Sequence, residues 1–123
     1  MDRLHTPPGW PPQVRRPGAP GWEGTAVAWL LDVCPPEYRG YPVLRNHEVV
    51  LARFALLHVE AAHAAVRRGL SEARGVLRGV ADPDTVEAAV LAWQAEEARL
   101  VAERRAVGLV EEALQGRRFV ARL

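Results

Sequence analysis

The chain contains no lysine; all 16 of its Lys+Arg residues are arginine. GC-rich coding accounts for this most simply. Selection for bidentate carboxylate or phosphate contacts would require the arginines to cluster on one face, and most are scattered. Cysteine occurs once, as Cys34, which excludes an intramolecular disulfide and a cysteine metal cluster. No apolar run approaches the ~20 residues of a membrane span. There is no alternating strand pattern and no glycine-rich phosphate loop. Net charge is only +1, which removes the case for whole-surface binding to nucleic acid or anionic membrane. Arg15-Arg16 precedes the apolar stretch Ala26–Cys34, as in an export signal or lipoprotein box. Asp32 interrupts that stretch, Glu23 lies at its start, and Val33 stands where a small residue should precede the cysteine. The expectation is a cytoplasmic protein with one domain, since 123 residues can bury a modest core.

What the sequence does have is helical periodicity. Val86, Trp93, Leu100, Val107 and Leu114 are spaced seven residues apart, the mark of a long helix with one seam against a partner helix. A second stripe, Leu91, Ala95, Ala98, Ala102, Ala106, Leu109 and Ala113, lies roughly opposite the first at 100° per residue. A helix with two apolar stripes requires two partners. The predicted fold class is all-α: a long antiparallel helical hairpin, one short N-terminal helix and a Pro-rich extended arm.

The arm is residues 1–21, too rich in proline for a helix or central strand. Pro-Gly-Trp occurs twice in and beside it, ending at Trp10 and Trp22. Either Trp10 folds back on the body, or the arm stays extended and recognises a partner. Residues 22–123 form the helical domain. A first helix is expected near 23–33, stopped by Pro35-Pro36. The stiff loop after it carries Tyr38, Arg39 and Tyr41, either wedged between helices or displayed as a contact surface.

A second helix is expected near 46–79, capped by Asn46. Its first half is apolar almost all round, and a stripe advances mainly by fours through Val50, Phe54, His58, Ala62, Val66 and Leu70. Gly69, Gly75 and Gly79 should weaken its second half. Asp82-Pro83-Asp84 turns the chain, Asp84 and Glu87 form a capping box, and the third helix, near 84–115, ends at Gly116. Centring the turn on residue 83 places Arg67 near Glu97, Glu60 near Arg104 and Arg105, and Arg53 near Glu112. Every pair is opposite in sign, which fixes register.

Candidate chemistry is sparse. Glu60-Ala-Ala-His63 is the Glu-x-x-His step that supplies ligands in carboxylate-bridged metal bundles. Such a centre needs further carboxylates and a second step, so no metal or other cofactor is assigned; Glu60 and His63 stand as the only metal candidates. Cys34 with His47 lacks a third orienting residue for nucleophilic catalysis, and no catalytic residue is assigned. The basic tail, 116–123, carries Arg117, Arg118 and Phe119, which either contact phosphate or pack back on the body. The expected function is a protein–protein interaction or scaffold module that self-associates, as a homodimer with a four-helix core. Its partner-binding residues would be Trp10, Trp22, Tyr38, Arg39, Tyr41, Arg117, Arg118 and Phe119. An accessory role on nucleic acid through the Arg-rich tail is the alternative, and a dimer-shared metal site a more remote one.

Overall fold

The structure is a computed structural model that describes residues 6–116. Among the described residues there are four α-helices and no strand. They are α1 (Trp22–Val33), α2 (Pro42–Asn46), α3 (Glu48–Leu77) and α4 (Pro83–Leu114), with a 3-10 turn at Pro36–Gly40 ahead of α2.

The heptad stripe of α4 becomes the seam against α3. Val86, Leu100 and Val107 are buried, and Trp93 and Leu114 are half-buried. Leu51, Ala52, Ala55, Val59 and Ala73 face them or α1 from α3. Full burial of a Leu or Val side chain stabilises by about 1.5–3 kcal/mol. Leu30, Leu44, Leu51, Val59, Val107 and Val110 are the largest side chains wholly shielded from water.

Charged residues flank the seam in a ladder. Arg53 Nη2 lies 2.9 Å from both carboxylate oxygens of Glu111. Arg104 donates to Glu60 at 2.8 Å, Arg67 lies 3.8 Å from Glu97, and Arg74 donates to Glu87 at 3.0 Å. Partner numbers fall along α4 as they rise along α3. Two expected pairs differ: Arg105 donates to the Pro8 carbonyl and not to Glu60, and Arg53 takes Glu111 rather than Glu112. Glu111 belongs to the seam and is buried, whereas Glu112 is one 100° step outward and exposed.

Helix boundaries differ from expectation at two caps. The second predicted helix is divided at His47, whose φ of −131° and ψ of 94° are extended. Asn46 therefore closes α2 and does not cap α3. Pro42 at the first position of α2 starts that short helix, and the break lets Leu44 reach the core. The cap of α4 is Asp82 rather than Asp84. Asp82 accepts from the Thr85 N–H and from the Thr85 hydroxyl, each at 2.9 Å. Pro83 directly after it has no N–H to satisfy, which suits the first position of a helix. Glu87, freed from the expected capping box, pairs with Arg74. At the other end Gly116, at φ +82°, closes α4 as its sequence position implies.

The Pro-rich segment is not extended over its described part. Trp10, Val14, Ala19 and Trp22 each donate a backbone N–H three residues back, to Pro7, Pro11, Arg16 and Ala19, so the segment is a chain of turns. Proline lacks the donor for a strand but pre-sets φ for turns. Pro7, Pro11, Val14 and Ala19 are buried, and Arg105 of α4 donates to the Pro8 carbonyl at 3.1 Å. The segment thus meets α4 at Arg105. Within the second stripe of α4, Ala106 is buried and Leu109 and Ala113 are half-buried, while Leu91, Ala95, Ala98 and Ala102 stay exposed.

The second half of α3 runs unbroken to Leu77 despite its glycines. Gly69 has a packing reason: a Cβ there would collide with the Trp93 indole, 2.7 Å from Cε2. Gly75 faces open space. The two glycines should separate in an unfolding experiment. Gly75→Ala is expected to stabilise by about 0.5–1 kcal/mol, the helix-propensity difference, whereas Gly69→Ala should lower the urea midpoint. Equal stabilisation by both would contradict the Trp93 contact.

Candidate functional site

Helix α3 is apolar on nearly every side, but its neighbours cover only part of it. α4 takes one flank and the 12-residue α1 takes the adjoining one at the N-terminal end. The side left over carries Val50, Phe54, Leu57, Ala61, Ala64 and Ala65, which fall within an arc of roughly 100° at helical spacing. Val50, Phe54 and Leu57 are 37%, 42% and 54% exposed, and the three alanines are exposed as well. Across this stretch the face bears no formal charge.

The loop aromatics extend the face. Tyr38 packs edge-on against Phe54, with centroids 5.7 Å apart and planes at 89°. It also meets His58 at 6.2 Å and Tyr41 at 6.5 Å. Tyr38 is thereby wedged and half-buried, while Tyr41 is left outermost at 55% exposure. Arg39 donates to Asp32 at 2.7 Å, and both are well exposed; such a pair is worth little in stability but orients the loop.

The other expected contact residues are placed differently. Trp22 is buried at the start of α1. Trp10 is half-buried, its ring 6.2 Å from that of Trp22, and its indole N–H donates to the Val14 carbonyl at 2.9 Å. The two Pro-Gly-Trp repeats thus come together and anchor the N-terminal strap. Arg117, Arg118 and Phe119 lie outside the described residues.

Glu60 and His63 both point toward α4. Glu60 accepts from Arg104, and His63 Nε2 lies 3.5 Å from Glu97 without hydrogen-bond alignment. Among the described residues no group of three or more His, Cys, Asp or Glu side chains is arranged to hold a metal ion. Of the arginines toward the C-terminal end of α3, Arg67 pairs with Glu97, Arg68 with Glu72 and Arg74 with Glu87.

Two further features complete the surface. Leu56, Glu60, Val101, Arg104, Arg105, Gly108, Leu109 and Glu112 line an open groove of about 400 Å³ between α3 and α4. By length and composition α3 also meets the criterion for a helix able to cross a membrane. Its most apolar window has a mean hydropathy of 1.5 and is 22% buried. Core helices of globular proteins meet the same criterion, so it fixes no location.

Sequence periodicity did not mark the open face. The stripe it favoured, Val50-Phe54-His58-Ala62-Val66, turns around α3 and passes from the bare side to the covered one. On a helix apolar all round, periodicity says nothing of which side neighbours reach. The available signal was length: helix one is too short to cover its partners.

No protein-family model, no curated protein and no solved structure matches this chain.

Cys34 is buried beside α1. Burial chiefly, and Glu103 to a lesser degree, push its thiol up to about 11 against the opposing pull of Arg39. The thiolate is the reactive form, so Cys34 is a packing residue at neutral pH. A thiol reagent at pH 7 is expected to label it slowly in the folded protein and rapidly in denaturant. Fast stoichiometric labelling of folded protein would contradict this.

Proposed function

We propose that the protein is a cytoplasmic helical interaction module that self-associates, with α3 and α4 as an antiparallel hairpin. In this reading the hairpin displays the open face of α3, and Tyr41 extends it as an aromatic corner. The descending order of the Arg53, Glu60, Arg67 and Arg74 pairings along α4 supports the antiparallel reading. The Pro-rich segment acts as a strap on the body and not as a free recognition arm.

One observation carries the proposal: an uncharged run of exposed apolar side chains, Val50, Phe54 and Leu57, continued by exposed alanines on one side of one helix. Contiguous apolar surface of this kind marks an interaction site more often than scattered exposed residues do. The nucleic-acid alternative rests on Arg117 and Arg118, which lie outside the described residues.

Leu57 is half outside, so arginine fits there without entering the core. Affinity capture with the wild-type chain and with Leu57→Arg, compared at equal bait, tests the reading. The proposal expects specific partners, the chain's own untagged copy included, to fall at least about tenfold with the variant, the loss on placing an unpaired charge in a contact. Identical recoveries from both baits would reject the face as the docking surface.

A further inference from the structure

The open face of α3 has a lengthwise asymmetry. Its N-terminal half is large, with Val50, Phe54 and Leu57, and its C-terminal half is small, with Ala61, Ala64 and Ala65. We infer that the occupant of this face is a second copy of the chain, with α3 packed antiparallel on α3 across a two-fold axis between Leu57 and His58. The inference rests on the docking-face reading above and names its partner.

Size complementarity selects the direction. Antiparallel packing about that axis sets Phe54 over Ala61 of the second copy and Val50 over Ala65, with the two Leu57 side chains side by side at the centre. Phe54 and Val50 then each face an alanine, and the two helices approach to about 8–10 Å. A parallel pair would set Phe54 on Phe54 and leave the alanine halves apart, a void that forfeits packing.

Charge agrees. Nothing between Phe54 and Ala65 on this face carries a formal charge, so no ion is desolvated at the centre of the contact. A parallel pair would also bring Arg68, next along the face, against its own copy. In the antiparallel pair the two Arg68 side chains lie at opposite ends.

Tyr41, Val50, Phe54 and Leu57 at 55%, 37%, 42% and 54% exposure, with the exposed alanines, present on the order of 500 Å² of surface. Two such faces set an upper bound of roughly 1,000 Å² for the contact, the lower threshold of a specific interface. Because a two-fold contact is the same patch on both partners, the match requires nothing beyond this chain. The product is a four-helix layer, α4–α3 against α3–α4, with both N-terminal straps outermost.

Light scattering on a sizing column, with the full-length chain at tens of micromolar, reads the answer. The wild type is expected at twice the 13.6 kDa chain mass and Leu57→Arg at that mass once, with unchanged far-ultraviolet dichroism. Should Leu57→Arg lose helicity, Ala61→Glu takes its place. In a Cys34→Ala background, oxidising a mixture of Phe54→Cys and Ala61→Cys chains should give the mixed disulfide in excess over either self-disulfide. A dominant Phe54→Cys self-disulfide would overturn the antiparallel arrangement. A dimer that survives Leu57→Arg would place self-association elsewhere and overturn the inference.

A monomeric wild type would overturn it too, and the apolar dye bis-ANS then separates the two levels. Dye bound by the wild type and lost in Leu57→Arg leaves the docking face standing with a different partner. No dye bound removes both readings. Dye bound only after deletion of residues 117–123 identifies the chain's own tail as the occupant.

Discussion

The packing of α4 on α3 along the seam from Val86 to Leu114 is the constraint on which the rest of the molecule depends. Neither helix is stable alone in water at this composition, since isolated helices draw most of their stability from tertiary contact. The seam supplies that contact along their shared length, and the flanking ion pairs set the register. Gly69 belongs to the same device. It admits the Trp93 indole at a point where any side chain would hold the helices apart. Once the seam is set, the remaining elements have only the flanks to occupy.

They occupy them unevenly. The contiguous core joins Val14, Ala19, Trp22, Ala26, Leu30 and Leu44 to Leu51, Ala55 and Val59 of α3 and to Leu100, Val107 and Val110 of α4. Val86, Val90 and Ala73 are buried too, but lie in the two-helix portion beyond that core. The end of the hairpin holding α1 and the N-terminal strap therefore has three layers, and the end near the turn has two. Fewer buried contacts mean lower local stability. The turn end is thus the less buried end of the hairpin, and Asp82 caps α4 there. Its carboxyl is held below the ordinary 3.8 chiefly by the Thr85 hydrogen bonds. A lowered folded-state pKa means the cap contributes above the ordinary carboxylate range and is lost as pH falls through the depressed value.

The same unevenness explains the open face of α3. A helix as apolar as α3 would ordinarily be surrounded. Here α1 is too short and the strap is committed to α4, so a full side of α3 meets water. Phe54 meets Tyr38 within the chain, whereas Leu57 is left 54% exposed; the proposed second copy would cover both, and the large-to-small gradient along the face is the feature that proposal rests on.

Much of the architecture was legible in local chemistry. The heptad of α4, the stop at Pro35-Pro36, the Gly116 terminator and the opposite-sign pairs Glu60–Arg104 and Arg67–Glu97 all follow from spacing, because helical geometry converts sequence separation directly into direction. Other features depended on neighbours distant in the chain. The break at His47 exists so that Leu44 can enter the core. The caps shifted to Asp82 and His47 because Pro83 and the seam decide where each helix begins. Trp10 and Trp22 turned inward because each repeat is the other's packing partner. By itself the sequence determined that the chain would be helical, with one long seam and more apolar surface than one seam can bury. Which part of that surface stayed open was decided only by the tertiary structure, because coverage depends on how far α1 and the N-terminal strap reach across the hairpin, and reach is not a periodic property of the sequence.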